Sequence, residues 1–168
     1  MEHLTFEQAT GKKITIEPLL RIYTDGSCYN KPPNNTMGVG VYSPDIVMLH
    51  QGFYFHYYAG LGTNNIAEYL AVRAALAKLY LFQSEKIVIH SDSQLVIKQL
   101  NLEYSVKNPE LIRINRRIRQ ELREFKDVSF KWVPRTNKHQ QIADELSKMG
   151  NPYFNTDYVA SNIKELWS

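Results

Sequence analysis

Residues 66–82, IAEYLAVRAALAKLYLF, predict a helix that is apolar on nearly every side. A surface helix carries one apolar stripe, whereas a helix apolar all round has to be packed on more than one side. The rest of the chain must therefore enclose it. Three strand-like runs precede it, Leu19–Thr24, Val39–Ser43 and Ile46–Tyr58, each rich in β-branched and aromatic residues. The turn signal SPD is expected to join the last two as a hairpin, and the segment NKPPNNTMG, rich in Pro and Asn, is expected to be a loop. After the helix, KIVIH reads as a short buried strand, and SDSQLVIKQL as a helix opened by Ser or Asp. NPELIRINRRIRQELREF is an amphipathic helix with Leu111, Ile114, Ile118, Leu122 and Phe125 on its apolar stripe. DVSFKWV alternates as a half-exposed strand does, and HQQIADELSKMG is a helix stopped by Gly150 and Pro152. The order β-β-β-α-β-α-α-β-α describes a mixed sheet covered by helices, an α/β domain.

A chain of 168 residues suits one domain with a real core. We expect an extension at 1–18, the domain at 19–150, and a tail at 151–168. The tail's Tyr153, Phe154, Tyr158 and Trp167 suggest that it packs back on the domain. The single cysteine, Cys28, leaves no internal disulfide framework and suits a reducing, cytoplasmic setting. No apolar run approaches the roughly 20 residues that span a membrane, and the polar N-terminus does not read as a signal peptide. A net charge of +3 permits a nucleic-acid partner without demanding one.

Four carboxylates stand at places where chemistry could be done. Asp25, in RIYTDGSCYN, ends the first strand. Glu68 lies in the first turn of the central helix, Asp92 follows the fourth strand, and Asp144 lies in the first turns of the last helix. Each has a local explanation. Asp25 could serve a turn, Glu68 could complete an N-x-x-E cap with Asn65, Asp92 could be an N-cap, and Asp144 could favour a helix dipole. The first and fourth strands are expected to be neighbours, which brings all four acids to one end of the sheet. Four carboxylates there would repel one another and resist ionisation. A divalent cation removes that conflict, and oxygen ligands without a His or Cys cluster suit Mg²⁺ or Mn²⁺ rather than zinc.

YTDGSCYN, TNNIAEYLAVRAAL, HSDSQLVIKQL and ADELS, in that order, resemble the motifs of type 1 ribonuclease H, from about Arg21 to Met149. The resemblance implies the ribonuclease H-like fold: a five-stranded mixed sheet in order 3-2-1-4-5 with helices on both faces. It implies an endoribonuclease that hydrolyses the RNA strand of RNA–DNA hybrids and leaves 5′-phosphate and 3′-hydroxyl ends. Two Mg²⁺ ions, replaceable by Mn²⁺, would flank the scissile phosphate. By resemblance Asp25 bridges them, Glu68 and Asp92 hold the water side, and Asp144 completes the other side.

Asn30, Asn64, Asn65 and Gln94 match family positions that contact the hybrid's minor groove, Thr63 and Asn108 a pocket for a DNA-strand phosphate, and Cys28 a residue near the RNA strand. Some relatives carry a long basic insertion between the second and third helices; here only NLEYSVKNPEL joins them. The following helix carries Arg113, Arg116, Arg117, Arg119 and Arg123, read as a solvated face partnered by Glu110, Glu121 and Glu124. Many relatives have a loop histidine ten residues before the final Asp and an Asn four residues before it. Pro134 and Gln140 hold those positions here. His139 is taken as a candidate acid–base residue in the loop after Val133. The expected partner is an RNA–DNA hybrid, with no membrane, and the expected state is a monomer. Three other readings compete with this one. An integrase-like core is disfavoured because its Glu comes late in the chain. A ribonuclease H domain of a reverse transcriptase or polyprotein, and a non-catalytic hybrid-binding module, remain as alternatives.

Overall fold

In a computed structural model of the protein, the structure describes residues 19–31, 34–48 and 51–154. An antiparallel meander opens the fold: β1 (Leu19–Lys31), β2 (Asn34–Met48) and β3 (Gln51–Leu61). Then come α1 (Asn64–Lys78), a 3-10 turn (Leu79–Phe82), β4 (Lys86–Ser91), α2 (Gln94–Leu100), α3 (Pro109–Leu122), β5 (Asp127–Trp132) and α4 (Lys138–Gly150). The sheet order is β3-β2-β1-β4-β5, with β4 parallel to β1 and β5 parallel to β4. This is the expected α/β architecture. The expected extension at 1–18, and Tyr158 and Trp167 of the tail, lie outside the described residues. Of the tail's other aromatics, Tyr153 stacks on Tyr29 at 4.9 Å and Phe154 meets the same ring edge-on at 6.3 Å.

Alternation along the strands sorts the core onto two faces. Ile22, Val39 and Val41 join Ala67, Tyr69, Val72, Leu76, Ile97, Ile114 and Ile118 beneath α1, α2 and α3. Tyr23 and Tyr42 join Ile142, Ala143 and Leu146 beneath α4. Helix α1 packs on β1, β2 and α3 at once, which explains its apolar circumference. Its buried Tyr69 donates a hydroxyl proton to Gln99 Oε1 at 2.8 Å and accepts from Asn115 Nδ2 at 3.3 Å. Leu111, Ile114 and Ile118 of α3 are buried as expected, with Leu122 and Phe125 packed at the core's margin.

Two strand boundaries differ from expectation. β1 and β2 run through most of the supposed loop NKPPNNTMG, pairing as far as Lys31 with Asn34. The SPD signal does not join two strands; it lies within β2, where the pairing with β3 shifts register between Ser43 and Val47. Such an irregularity accommodates Pro44, which has no N–H to give a ladder. Asp45 there accepts from Arg21 at its backbone N (2.8 Å), Nε (2.9 Å) and Nη2 (2.7 Å).

The pairing pattern creates a gap. β1 pairs with β4 only up to Tyr23 opposite His90, then continues beside β2 while β4 ends at Ser91. Two glycines let helices close on the sheet at this level, α1 on β1 and α4 on β2. A Cβ on Gly26 would collide with the backbone of Ala67 and Glu68 in α1. A Cβ on Gly40, opposite Asp25, would collide with the backbone of Ala143 and Ser147 in α4.

Candidate active site

Asp25, Glu68 and Asp92 meet at this gap, and one carboxylate oxygen from each lies within 4.8 Å of the others. They arrive by different routes. Asp25 stands inside β1, not at its end, because the ladder to β2 carries the strand past Asp25-Gly26. Glu68 is one turn further into α1 than expected. Thr63 is the N-cap, its hydroxyl accepting from Ile66 N at 3.3 Å, so Glu68 is not needed for capping with Asn65. Asp92 immediately follows β4, and Ser93 rather than Asp92 caps α2 by accepting from Val96 N. Both carboxylates are thus spared the local roles that could have explained them.

Asp144 sits midway along α4, whose N-cap is Asn137, so the helix dipole does not account for it. It lines the same cleft of about 510 Å³ as Asp25, Glu68 and Asp92. Lys148, one turn on, donates to Asp144 Oδ2 at 2.8 Å. Arg135, whose side chain is 91% exposed, donates from Nε to Asp92 Oδ2 at 3.0 Å. Trp132 Nε1 donates to the Asp92 carbonyl at 3.1 Å and fixes its backbone. Ser147 Oγ donates to Asp25 Oδ2 at 2.6 Å.

Burial, the charge of Asp144 and that of Asp92 push the Asp25 carboxyl up to about 8, against the opposing hydrogen bond of Ser147. Burial, then Asp25 and Asp92, hold Glu68 well above the usual carboxylate range. Its Oε2 is buried without a hydrogen-bond partner among the described residues. Burial also raises Asp92, with Arg135 opposing and Asp144 adding to the rise. These are acids packed more closely than their charges tolerate alone.

The residues expected to touch substrate are distributed around this centre. Cys28, Asn64 and Asn65 line the cleft. Cys28 Sγ donates to Gly62 O at 3.4 Å, and burial raises its thiol, which does not favour a nucleophile. Asn30 occupies a backbone position in β1 opposite Asn35. Thr63 caps α1, and Asn108 caps α3 by accepting from Glu110 N and Leu111 N. Gln94 opens α2 and lines a neighbouring depression with Lys98, Lys131 and Trp132.

His139 is not in a loop. It lies in the first turn of α4, because Asn137 starts the helix by accepting from His139 N and Gln140 N. Its ring packs 5.0 Å from Tyr23 and 5.7 Å from Tyr42, and it is not among the residues lining the cleft. An acid–base role for it finds no support in this geometry. Conversely, Arg135, Gln141, Ser147 and Lys148 lie in or against the cleft and were not singled out from the sequence. Only Lys148 had a signal, its i,i+4 spacing from Asp144.

Residues 18–151 match the RNase H family. A ribonuclease HI of Halobacterium salinarum is 35% identical over 125 residues, 74% of this chain and 60% of that protein. A bifunctional protein of Mycobacterium tuberculosis is 30% identical over 88 residues, 52% of this chain. The chain spans only about a quarter (24%) of the length of that relative. Among solved structures, RNase H1 from H. salinarum superposes with a TM-score of 0.67 at 32% identity, over 79% of this chain and 97% of that one. LC11-RNase H1, solved in complex with an RNA/DNA hybrid, superposes with a TM-score of 0.65 at 30% identity, over 76% of this chain and 92% of that one.

Proposed function

The chain belongs to the RNase H family, and from that premise we propose that it cleaves the RNA strand of RNA–DNA hybrids with the aid of divalent cations, leaving 5′-phosphate and 3′-hydroxyl ends. The observation that carries this reading is the meeting of Asp25, Glu68 and Asp92 within 4.8 Å. The donor set fits a hard cation: three carboxylates without a His or Cys, raised proton affinities, and a buried Glu68 oxygen with no partner among the described residues. Asp25, Glu68 and Asp92 would hold Mg²⁺ or Mn²⁺ on the side of the attacking water. Asp25 and Asp144 would hold a second ion towards the leaving group. Two bound cations supply Lewis acidity to the attacking and the leaving oxygens of an in-line displacement.

The chain's own residues do the rest. Asp25, Glu68 and Asp92, whose proton affinities are raised by burial and by one another's charge, would give up their protons as cations bind, and together with Asp144 would present a negatively charged floor to the substrate. Arg135 and Lys148 are the cations of the cleft, each paired with a carboxylate. Arg135, being largely exposed, can turn from Asp92 to a phosphate oxygen, where a guanidinium forms a planar charge-assisted pair. Asn64 and Asn65, exposed on the cleft's rim, offer both donors and an acceptor to a ribose 2′-hydroxyl, the group that separates RNA from DNA.

The test is a panel of end-labelled substrates: hybrid, duplex RNA and duplex DNA, each with Mg²⁺, Mn²⁺ or EDTA. Cleavage confined to the RNA strand of the hybrid and abolished by EDTA is expected. Cleavage that survives EDTA, or that spares the hybrid, would refute the proposal.

A further inference from the structure

We propose that Ser147 is a positioning residue: its hydroxyl holds the Asp25 carboxylate in place and so sets the affinity of the site for divalent cations. The inference rests on the reading of Asp25 as a cation ligand and concerns a residue that reading does not use.

Ser147 lies on a face of α4 made of small residues, Ala143, Ser147 and Gly150, each buried. That face meets β2 at Gly38 and Gly40, where the backbone of Ser147 comes so close that neither glycine could carry a Cβ. Packing there demands a small residue, and alanine would meet the demand. The hydroxyl is therefore an addition that packing does not explain. It is fully buried and has two acceptors in reach, Asp25 Oδ2 at 2.6 Å and the Asp144 carbonyl at 2.7 Å. A hydroxyl has one proton, and an ionised carboxylate accepts it more strongly than a helix carbonyl; 2.6 Å is also the range of an O–H···O⁻ bond.

The Ser147 backbone is itself fixed. Its carbonyl accepts from Ser27 Oγ at 2.9 Å, two residues along β1 from Asp25. Ser147 is thus bonded to β1 at both Asp25 and Ser27. Asp25 Oδ2 is held against that turn while a carboxylate oxygen of Asp25 stays within 4.8 Å of ligand atoms from Glu68 and Asp92. Without the hydroxyl, the carboxylate could rotate about its Cα–Cβ and Cβ–Cγ bonds, and the ligand geometry would have to be recovered at each binding event.

Partners that orient a metal ligand typically change metal affinity 10–100-fold when removed. Calorimetric titration of Mn²⁺ and Mg²⁺ into the wild-type chain, Ser147→Ala, Ser147→Cys and Asp25→Asn tests this. Cysteine keeps the size and gives a poor donor, so it guards against a packing artefact in alanine. Ser147→Ala and Ser147→Cys should each weaken binding by about 10-fold or more. The metal concentration for half-maximal hybrid cleavage should rise in parallel, while kcat at saturating metal recovers. A purely structural role would not shift the metal requirement in that way. Both variants binding Mn²⁺ within about 2-fold of wild type, while Asp25→Asn binds poorly, would overturn the inference and leave the cation site standing. A wild-type chain that binds neither ion, or an Asp25→Asn chain that binds as wild type does, would overturn both.

Discussion

Asp25→Asn should make the metal-free protein more stable while removing its activity. Asp25 is 4% exposed and crowded by Asp144 and Asp92, and its carboxyl is pushed from 3.8 up to about 8. Between those values the folded chain holds more protons than the unfolded one. Stability contributed by the protonated group is therefore complete below about pH 4 and is lost as pH rises towards 8. At about 1.4 kcal/mol per pH unit, the loss reaches roughly 4 kcal/mol by pH 7 if nothing moves. Water entry and side-chain relief reduce this, and we take about 2 kcal/mol as the working figure. Asparagine is neutral, keeps the shape, and can still accept from Ser147. For a chain of 168 residues, about 2 kcal/mol raises the melting temperature by roughly 4–8 °C. The assay is thermal unfolding by circular dichroism from pH 4 to 8 in EDTA. The melting temperature of the wild type should fall across that range and that of Asp25→Asn should fall less. Added Mg²⁺ should reverse the ranking, since a ligand that binds only the folded wild type stabilises it alone. A variant that melts no higher than wild type in EDTA at pH 7.5 would refute the electrostatic reasoning.

His139→Ala should keep turnover within about 2-fold and lower stability by about 1 kcal/mol, the scale of a lost aromatic pair, as read by parallel cleavage and urea unfolding. Deleting residues 153–168 should lower the melting temperature, because the Tyr153 and Phe154 contacts with Tyr29 are lost. Hybrid binding, measured across salt concentrations, should show a shallow slope of about −0.9 in log K per phosphate neutralised, with few phosphates involved. On α3, Arg117 pairs with Glu121 and Arg119 donates to the Leu100 carbonyl, so these two are engaged within the protein, whereas Arg113, 80% exposed and 3.9 Å from Glu110, is held only loosely. A steep slope would make α3 a grip on the substrate.

Element order and the two-sided burial of α1 were legible because they depend on periodicity, and the convergence of the carboxylates because it depends on β1 and β4 being neighbours, although of the four acids only Asp92 stands directly at the end of an element. What escaped was set by long-range pairing. Asp25-Gly26 reads locally as a turn, yet the ladder with Gly40 and Val39 carries β1 through it. Ser43–Asp45 reads as a turn, yet Arg21 holds Asp45 inside β2. His139 stands at a boundary that the sequence reads two ways, as the start of the last helix and as part of the connection after Val133, and the Asn137 cap decides for the helix. Arg135 and Ser147 reach Asp92 and Asp25 across 43 and 122 positions of the chain, a separation at which no local pattern signals contact.

The central claim is that the converging carboxylates perform the chemistry through bound cations. Single-turnover cleavage of an RNA–DNA hybrid by Glu68→Gln and Asp92→Asn, with Mg²⁺ saturating for the wild type, tests it most directly. Each substitution keeps shape and removes one charge from a site whose Lewis acidity is worth several kcal/mol, so each should slow cleavage by about 10³-fold or more. The melting temperature in EDTA should stay at or above that of the wild type. Cleavage within about 10-fold of wild type by either variant would contradict the account.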